Sequence, residues 1–141
     1  MTSVVRVAVS VVESDGHVIV GIRPEGRPLA GFHEFPGGKC LPDETPRACL
    51  VRECEEETGL LVVPREHLVT TTQTYTHGTI ELHFWMCSLA PDLPRRAALK
   101  SPFAWTPIAA LPTLNFPDGN AEVLKIIGVL PADTSATRER N

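Results

Sequence analysis

The feature that most restricts this chain lies between Gly38 and Leu60, where it reads Gly38-x5-Glu44-x7-Arg52-Glu53-Cys54-x-Glu56-Glu57-x-Gly59-Leu60. Its flanks define a helix. Thr45 carries a side-chain oxygen suited to an N-cap, and Pro46 lacks the N–H that a first helical turn leaves unpaired. Gly59 tolerates the left-handed conformation that closes a helix. The expected helix is therefore 46–58. On it Glu53, Glu56 and Glu57 stand at i, i+3 and i+4 and share one face. Leu50, Val51 and Cys54 point the other way, toward a core. Glu55 lies off the acidic cluster, facing solvent.

Three carboxylates packed side by side repel one another, and such an arrangement persists when a cation neutralises it. Oxygen donors favour Mg²⁺ or Mn²⁺, and Mg²⁺ commonly shares its shell with water and substrate phosphates. Arg52 is placed to hydrogen-bond a neighbouring carboxylate and hold its rotamer. Pro36-Gly37-Gly38, just before the helix, lets backbone approach a ligand closely, and the Gly37 carbonyl is a candidate metal ligand. A solvated acidic face would explain a lone Glu-Glu pair. It does not explain the arginine and the glycines at both ends.

The pattern resembles the Nudix box and departs from it only at Cys54, where the family usually carries a larger aliphatic residue. The likeness extends outward. Glu34-Phe35-Pro36-Gly37-Gly38-Lys39 is similar to the segment that precedes the box in MutT-like proteins. Phe116-Pro117-Asp118-Gly119-Asn120, following Trp105-Thr106-Pro107, is similar to their C-terminal nucleotide-binding segment. The resemblance covers about 4–130. It implies a Nudix-type α/β/α sandwich with a mixed β-sheet between helices, and hydrolysis of nucleoside diphosphates linked to another group by metal-assisted attack of water on phosphorus. By the same resemblance Glu53, Glu56 and Glu57 are the metal and water-activating residues. Arg52 orients them, Lys39 faces phosphate, and Glu44 supports the loop and a metal-bound water.

The 141 residues suffice for one domain with a real core, expected over 1–130, followed by a flexible C-terminal tail at 131–141. Hydrophobic residues at 43% and charged residues at 21% are ordinary for a globular protein. The net charge is −4, with much of the acid in the box, and no basic stripe suits polymeric nucleic acid. A negative protein that takes an anionic nucleotide needs local cations, here the metal, Lys39 and Arg23. Cys40, Cys49, Cys54 and Cys87 form no Cys-x-x-Cys pair. No signal-peptide pattern precedes Val4 and no apolar run reaches membrane-spanning length, so the expectation is a cytoplasmic protein with reduced thiols and no membrane partner, monomeric or homodimeric. Cys49 sits one turn before Glu53 and reads as a small filler rather than a soft ligand.

Residues 3–13 are valine-rich and read as a strand, Ser14-Asp15-Gly16 as a turn, and 17–22 as a returning strand. Residues 24–33, with Pro24, Gly26, Pro28 and Gly31, read as a loop, and Glu34-Phe35 as a short extended piece. Residues 60–63 are extended, and 68–76 and 79–88 read as two longer strands around Gly78. The proline-rich, basic stretch 91–102 reads as a loop, Phe103–Pro107 as a strand and Ile108–Leu111 as a helical turn. Residues 120–129 have helical apolar spacing. Pattern alone supports only an α/β class.

For the base, Asn120 offers one donor and one acceptor that can read a purine edge, and in MutT-like enzymes an asparagine at this position reads the oxidised guanine of 8-oxo-dGTP. Helix capping suits Asn equally well. Arg23 ends a strand within reach of a nucleotide, and Phe35 and Tyr75 either flank a base or pack in the core. His33, His77 and His83 are candidate acid/base groups for which structural roles are favoured. In one respect the chain departs from many MutT-like enzymes: residues 93–117 hold no Asp or Glu, and Arg95, Arg96 and Lys100 occupy that loop. The base is then expected to be Glu53 or Glu56, and the loop cations to contact leaving phosphates.

The expected activity is Mg²⁺-dependent hydrolysis of a nucleoside triphosphate to monophosphate and pyrophosphate, with 8-oxo-dGTP a candidate substrate. The alternatives are a CTP/dCTP or broad dNTP pyrophosphohydrolase and, from another class, a Nudix module that binds nucleotide without hydrolysing it. A P-loop is excluded: Gly38-Lys39 is followed by Cys40, and the motif's first glycine would fall at His33.

Overall fold

The computed structural model describes residues 3–128. The tail expected at 131–141, and the domain boundary at 130, lie outside them. The chain runs β1 (Ser3–Ser14), β2 (His17–Ile22), β3 (His33–Glu34), β4 (Gly37–Lys39), α1 (Pro46–Thr58), β5 (Val62–Tyr75), β6 (Gly78–Leu89), β7 (Ala104–Pro107), 3-10 turns at Ile108–Thr113 and Asp118–Asn120, and α2 (Ala121–Gly128). The sheet order is β3-β2-β1-β6-β5, with β4 added to β1 and β7 to β2. β1 and β6 are parallel and the other pairs antiparallel, so the sheet is mixed.

Alternation along the strands divides the core into two layers. On one face Ala8 and Val12 of β1 and Cys87 of β6 pack under α1 through Cys49, Leu50 and Cys54. On the other, Val9, Val11 and Phe84 meet Val123 and Ile127 of α2. This is the expected mixed sheet flanked by helices.

The helix boundaries match the expected 46–58. The Thr45 Oγ1 accepts from the Ala48 N–H, and Gly59 closes the helix at φ 86°. Cys54 is fully buried, and Thr58 beside it turns its hydroxyl back to the Cys54 carbonyl at 2.7 Å. A small side chain therefore serves where the family usually places a larger one.

Several boundaries shift by a residue or two, β4 is a strand the sequence does not announce, and three further differences bear on the site. The pieces at 60–63 and 68–76 belong to the single strand β5, whose register slips between Pro64 and Glu66 and again between His67 and Val69. Bulges absorb an extra residue and accommodate Pro64, which has no N–H for the ladder. β7 starts at Ala104 rather than Phe103. Asn120 ends a 3-10 turn instead of starting α2.

Candidate active site

Two elements on opposite faces of the sheet meet at β4. This strand lies on the edge of β1, with Gly37 opposite Val9 and Gly38 opposite Ala8. From the α1 side, the Glu57 Oε1 accepts the Gly37 N–H at 3.0 Å. Glu53 lies against Gly38 so closely that a Cβ there would stand 2.3 Å from the Glu53 carboxyl carbon. A side chain at 38 would push the carboxylate from its place, so the second glycine sets where the Glu53 carboxylate lies.

Arg52 organises the carboxylates. Its Nε donates to Glu44 Oε2 at 2.8 Å and its Nη2 to Glu44 Oε1 at 2.9 Å. Nη1 donates to Glu53 Oε2 at 3.1 Å and to Glu56 Oε2 at 3.4 Å, and Nη2 also donates to the Lys39 carbonyl at 3.2 Å. The guanidinium holds the Glu44 carboxyl at a pKa of about 2, helped by the Leu41 N–H, and Glu44 in turn raises the arginine's own pKa. Both Glu44 oxygens are thus engaged by protein donors, from Arg52 and from the Leu41 N–H. Glu56 is the open member of the acidic trio, with a side chain 59% exposed. Burial pushes the Glu57 carboxyl up to about 7, the Gly37 N–H opposes this, and the negative charges of Glu34 and Glu53 add to the rise. Such a carboxyl gains most from a nearby cation.

On the other face a cleft of about 310 Å³ is lined by Val7, Val9, Phe35, Leu82 and Phe84, with Arg23, Arg27, Glu34, Gly37, Gly38 and Lys39 along one side and Gln73, Pro117 and Asn120 also on its wall. An apolar floor with a few convergent polar groups is the usual character of a small-molecule site. A second groove, beneath α2 and lined by Ile108, Leu111, Pro112, Leu124 and Lys125, holds no carboxylate among the described residues.

Most of the residues singled out in the sequence converge here. Arg23 lines the cleft, with Nη1 donating to Glu34 Oε1 at 3.1 Å and Nε to the Pro28 carbonyl at 2.8 Å. Phe35 is 5% exposed and stacks on Phe116 with ring centroids 4.9 Å apart, as a wall of the cleft. Lys39 is exposed at its rim. Asn120 lines it too, and its Nδ2 donates to the Pro117 carbonyl at 3.2 Å. Tyr75 stands apart, 54% exposed beside Ser3, Val5 and His77, but its hydroxyl donates to Gln73 Oε1 at 2.7 Å.

The loop cations, expected to contact leaving phosphates, take separate places. Arg95 and Arg96 lie 3.8 and 3.9 Å from Asp15. Asp15 follows β1, seven residues beyond Ala8, a run of roughly 20 Å at the rise of a strand. Lys100 instead caps the helix end, its Nζ donating to the Glu56 carbonyl at 3.2 Å. His33 accepts from the Asn115 N–H, and His83 lies between Glu81 and Thr70, both structural arrangements. His77 is exposed at the β5–β6 turn. Cys49 is buried with its Sγ 3.4 Å from the Gly38 carbonyl, and burial with Cys40 nearby raises its thiol to about 12, as befits a filler.

Glu34, Arg27 and Gln73 were not singled out from the sequence. Glu34 lies inside the segment similar to MutT-like proteins, where nothing local marks it out. Arg27 sat in a loop of unknown course. Gln73 lay in a strand whose bulges hide which face it presents.

The fit of a divalent cation rests on the donor set: three carboxylates and a backbone carbonyl, all hard oxygen ligands. Among the described residues no three acidic, thiol or imidazole side chains converge into a ready-made metal cage. Water and phosphate oxygens would complete the shell.

A family model described as NUDIX domain matches residues 7–125. The CTP pyrophosphohydrolase of Escherichia coli (strain K12) is 36% identical over 81 residues, 57% of this chain and 60% of that protein. This chain therefore spans less than two thirds of that relative. The 8-oxo-dGTP diphosphatase of Haemophilus influenzae is 30% identical over 122 residues, 86% of this chain and 89% of that protein. The solution structure of the E. coli ORF135 protein superposes with a TM-score of 0.75 at 27% identity, covering 94% of this chain and 96% of that one.

Proposed function

The chain belongs to the Nudix hydrolase family, and from that premise we propose that it hydrolyses nucleoside triphosphates to a nucleoside monophosphate and pyrophosphate, with Mg²⁺ as cofactor and 8-oxo-dGTP as the preferred substrate. The observation that carries this reading is the meeting at Gly37-Gly38 of the acidic face of α1 and the rim of the 310 Å³ cleft. A base on the apolar floor would direct its phosphates to that rim, where Lys39 and Arg23 offer positive charge.

Glu53, Glu56, Glu57 and the Gly37 carbonyl would hold the metal. When bound, it neutralises phosphate charge and lowers the pKa of a coordinated water. Glu53 is the assigned base. Arg52 fixes its Oε2, while among the described residues its Oε1 has no hydrogen-bond partner and is available to accept the water's proton. Arg52 and Glu44 keep that carboxylate in place, so its reorganisation during reaction is small.

The similarity to a CTP pyrophosphohydrolase favours one second reading, a cytosine nucleotide as the main substrate. Initial rates on 8-oxo-dGTP, dGTP and dCTP at one low concentration, with and without Mg²⁺ and with products resolved, decide between them. A leading rate on 8-oxo-dGTP with pyrophosphate release supports the proposal. A leading rate on dCTP favours the second reading, and no Mg²⁺-dependent turnover on any of the three overturns both.

A further inference from the structure

Two side-chain amides line the cleft, Gln73 from β5 and Asn120 from the turn before α2. Each has one end already engaged. The Asn120 Nδ2 donates one of its two N–H groups to the Pro117 carbonyl at 3.2 Å, and among the described residues Oδ1 has no partner and is open as an acceptor. The Gln73 Oε1 accepts from the Tyr75 hydroxyl at 2.7 Å, which leaves Nε2 as a donor. Tyr75 lies two residues along the same strand and therefore on the same face as Gln73. Gly119 makes room for the arrangement: a Cβ there would stand 2.9 Å from Gln73 Nε2. The glutamine amide thus lies over the backbone immediately before Asn120.

We propose that Gln73 and Asn120 form a donor–acceptor pair that reads the base, with Tyr75 as a positioning residue that keeps the Gln73 amide nitrogen available to the cleft. The proposal rests on the triphosphate reading above and goes beyond it in naming how the base is selected. Such a pair complements a base edge that carries an acceptor beside a donor. Oxidised guanine has one, with O6 as acceptor and N7–H as donor. Cytosine has another, with N3 as acceptor and the N4 amino group as donor. On that same N7 edge unmodified guanine presents two acceptors, N7 and O6, and its Watson–Crick acceptor-beside-donor pair is O6 with N1–H, so the pair rejects it in the orientation that turns N7 to Asn120. Against it the Asn120 Oδ1 would face a lone pair, and an unmatched acceptor in a partly dry cleft is costly.

The test is the ratio of kcat/KM values for 8-oxo-dGTP, dCTP and dGTP in the wild type, Gln73→Ala, Gln73→Glu and Tyr75→Phe. For whichever base is read, Gln73→Ala should lower the ratio to dGTP about ten-fold, mainly through KM. Gln73→Glu should lower it further, because an acceptor then faces an acceptor. Tyr75→Phe, a change on an exposed ring, should lower it about three-fold by freeing the amide to turn. A fall in the 8-oxo-dGTP ratio identifies the oxidised purine, and a fall in the dCTP ratio identifies cytosine. Unchanged ratios in both Gln73 variants, or equal losses on all three substrates, overturn the proposal while leaving the activity standing. A wild-type protein inactive on all three overturns the triphosphate reading, and the base-reading pair with it, before any variant is measured.

Discussion

The Arg52 guanidinium meets the Glu44 carboxylate through two parallel hydrogen bonds, Nε to Oε2 at 2.8 Å and Nη2 to Oε1 at 2.9 Å. Glu44 precedes the helix and Arg52 lies in its middle, so the pair ties the loop to α1 while the remaining nitrogen, Nη1, reaches Glu53. Only a planar fork can serve both carboxylates at once. Arg52→Lys keeps the charge and loses that geometry. It should lower kcat/KM by about ten-fold or more at saturating Mg²⁺, with a smaller effect on folding. Steady-state kinetics beside thermal unfolding will separate the two.

The same pair predicts an acid limb in stability. The Glu44 pKa is about 2 in the folded protein against an ordinary 4.5, with the Arg52 hydrogen bond as the largest cause. A depressed carboxylate contributes stability above its unfolded value and loses it as pH falls through the folded one. The contribution should therefore be complete above pH 4.5 and decline between 4.5 and 2. Glu44→Gln should show a shallower fall in unfolding free energy across that window. An acid limb identical to the wild type's would contradict the assignment.

Glu53→Gln removes the proposed base and weakens one metal ligand while preserving shape. The expected loss in kcat is about 10²–10⁴-fold. Among the described residues Glu53 receives one hydrogen bond, from Arg52, and a glutamine oxygen can take it over, so the fold should remain. A folded variant with near-normal turnover would remove Glu53 from the mechanism.

Gly38→Ala tests the close approach of β4 to α1. The new methyl would lie 2.3 Å from the Glu53 carboxyl carbon, and the end of a flexible side chain can move aside. The protein should still fold, with Glu53 displaced. About 1 Å of misplacement can cost some 10²-fold in rate, and a loss of that order is expected with a Tm near the wild type's. Unchanged kcat would show that Glu53 tolerates the shift.

The helix and its acidic face were legible because their causes are local. Thr45 caps, Pro46 starts and Gly59 stops α1 through contacts within a few residues, and the 3.6-residue repeat places Glu53, Glu56 and Glu57 together whatever surrounds them. The expected bond from Arg52 to a neighbouring carboxylate follows from the same repeat. Its engagement of Glu44 requires the loop to fold back, which no local pattern in the sequence specifies.

The cleft was less legible because its walls come from distant parts of the chain. Gln73 belongs to it only after two bulges have set the register of β5, and a slip of one residue would turn that side chain to the opposite face. The placement of Arg95 and Arg96 near Asp15 depends on how the 91–102 loop packs, which no local pattern specifies. The sequence by itself determined the chemistry: a carboxylate-bearing helix, its caps, and glycines where backbone must come close. Tertiary structure alone decided which residues share the cleft, since β4 brings the α1 side of the sheet to the cleft side only once it has paired with β1 across some thirty residues of chain.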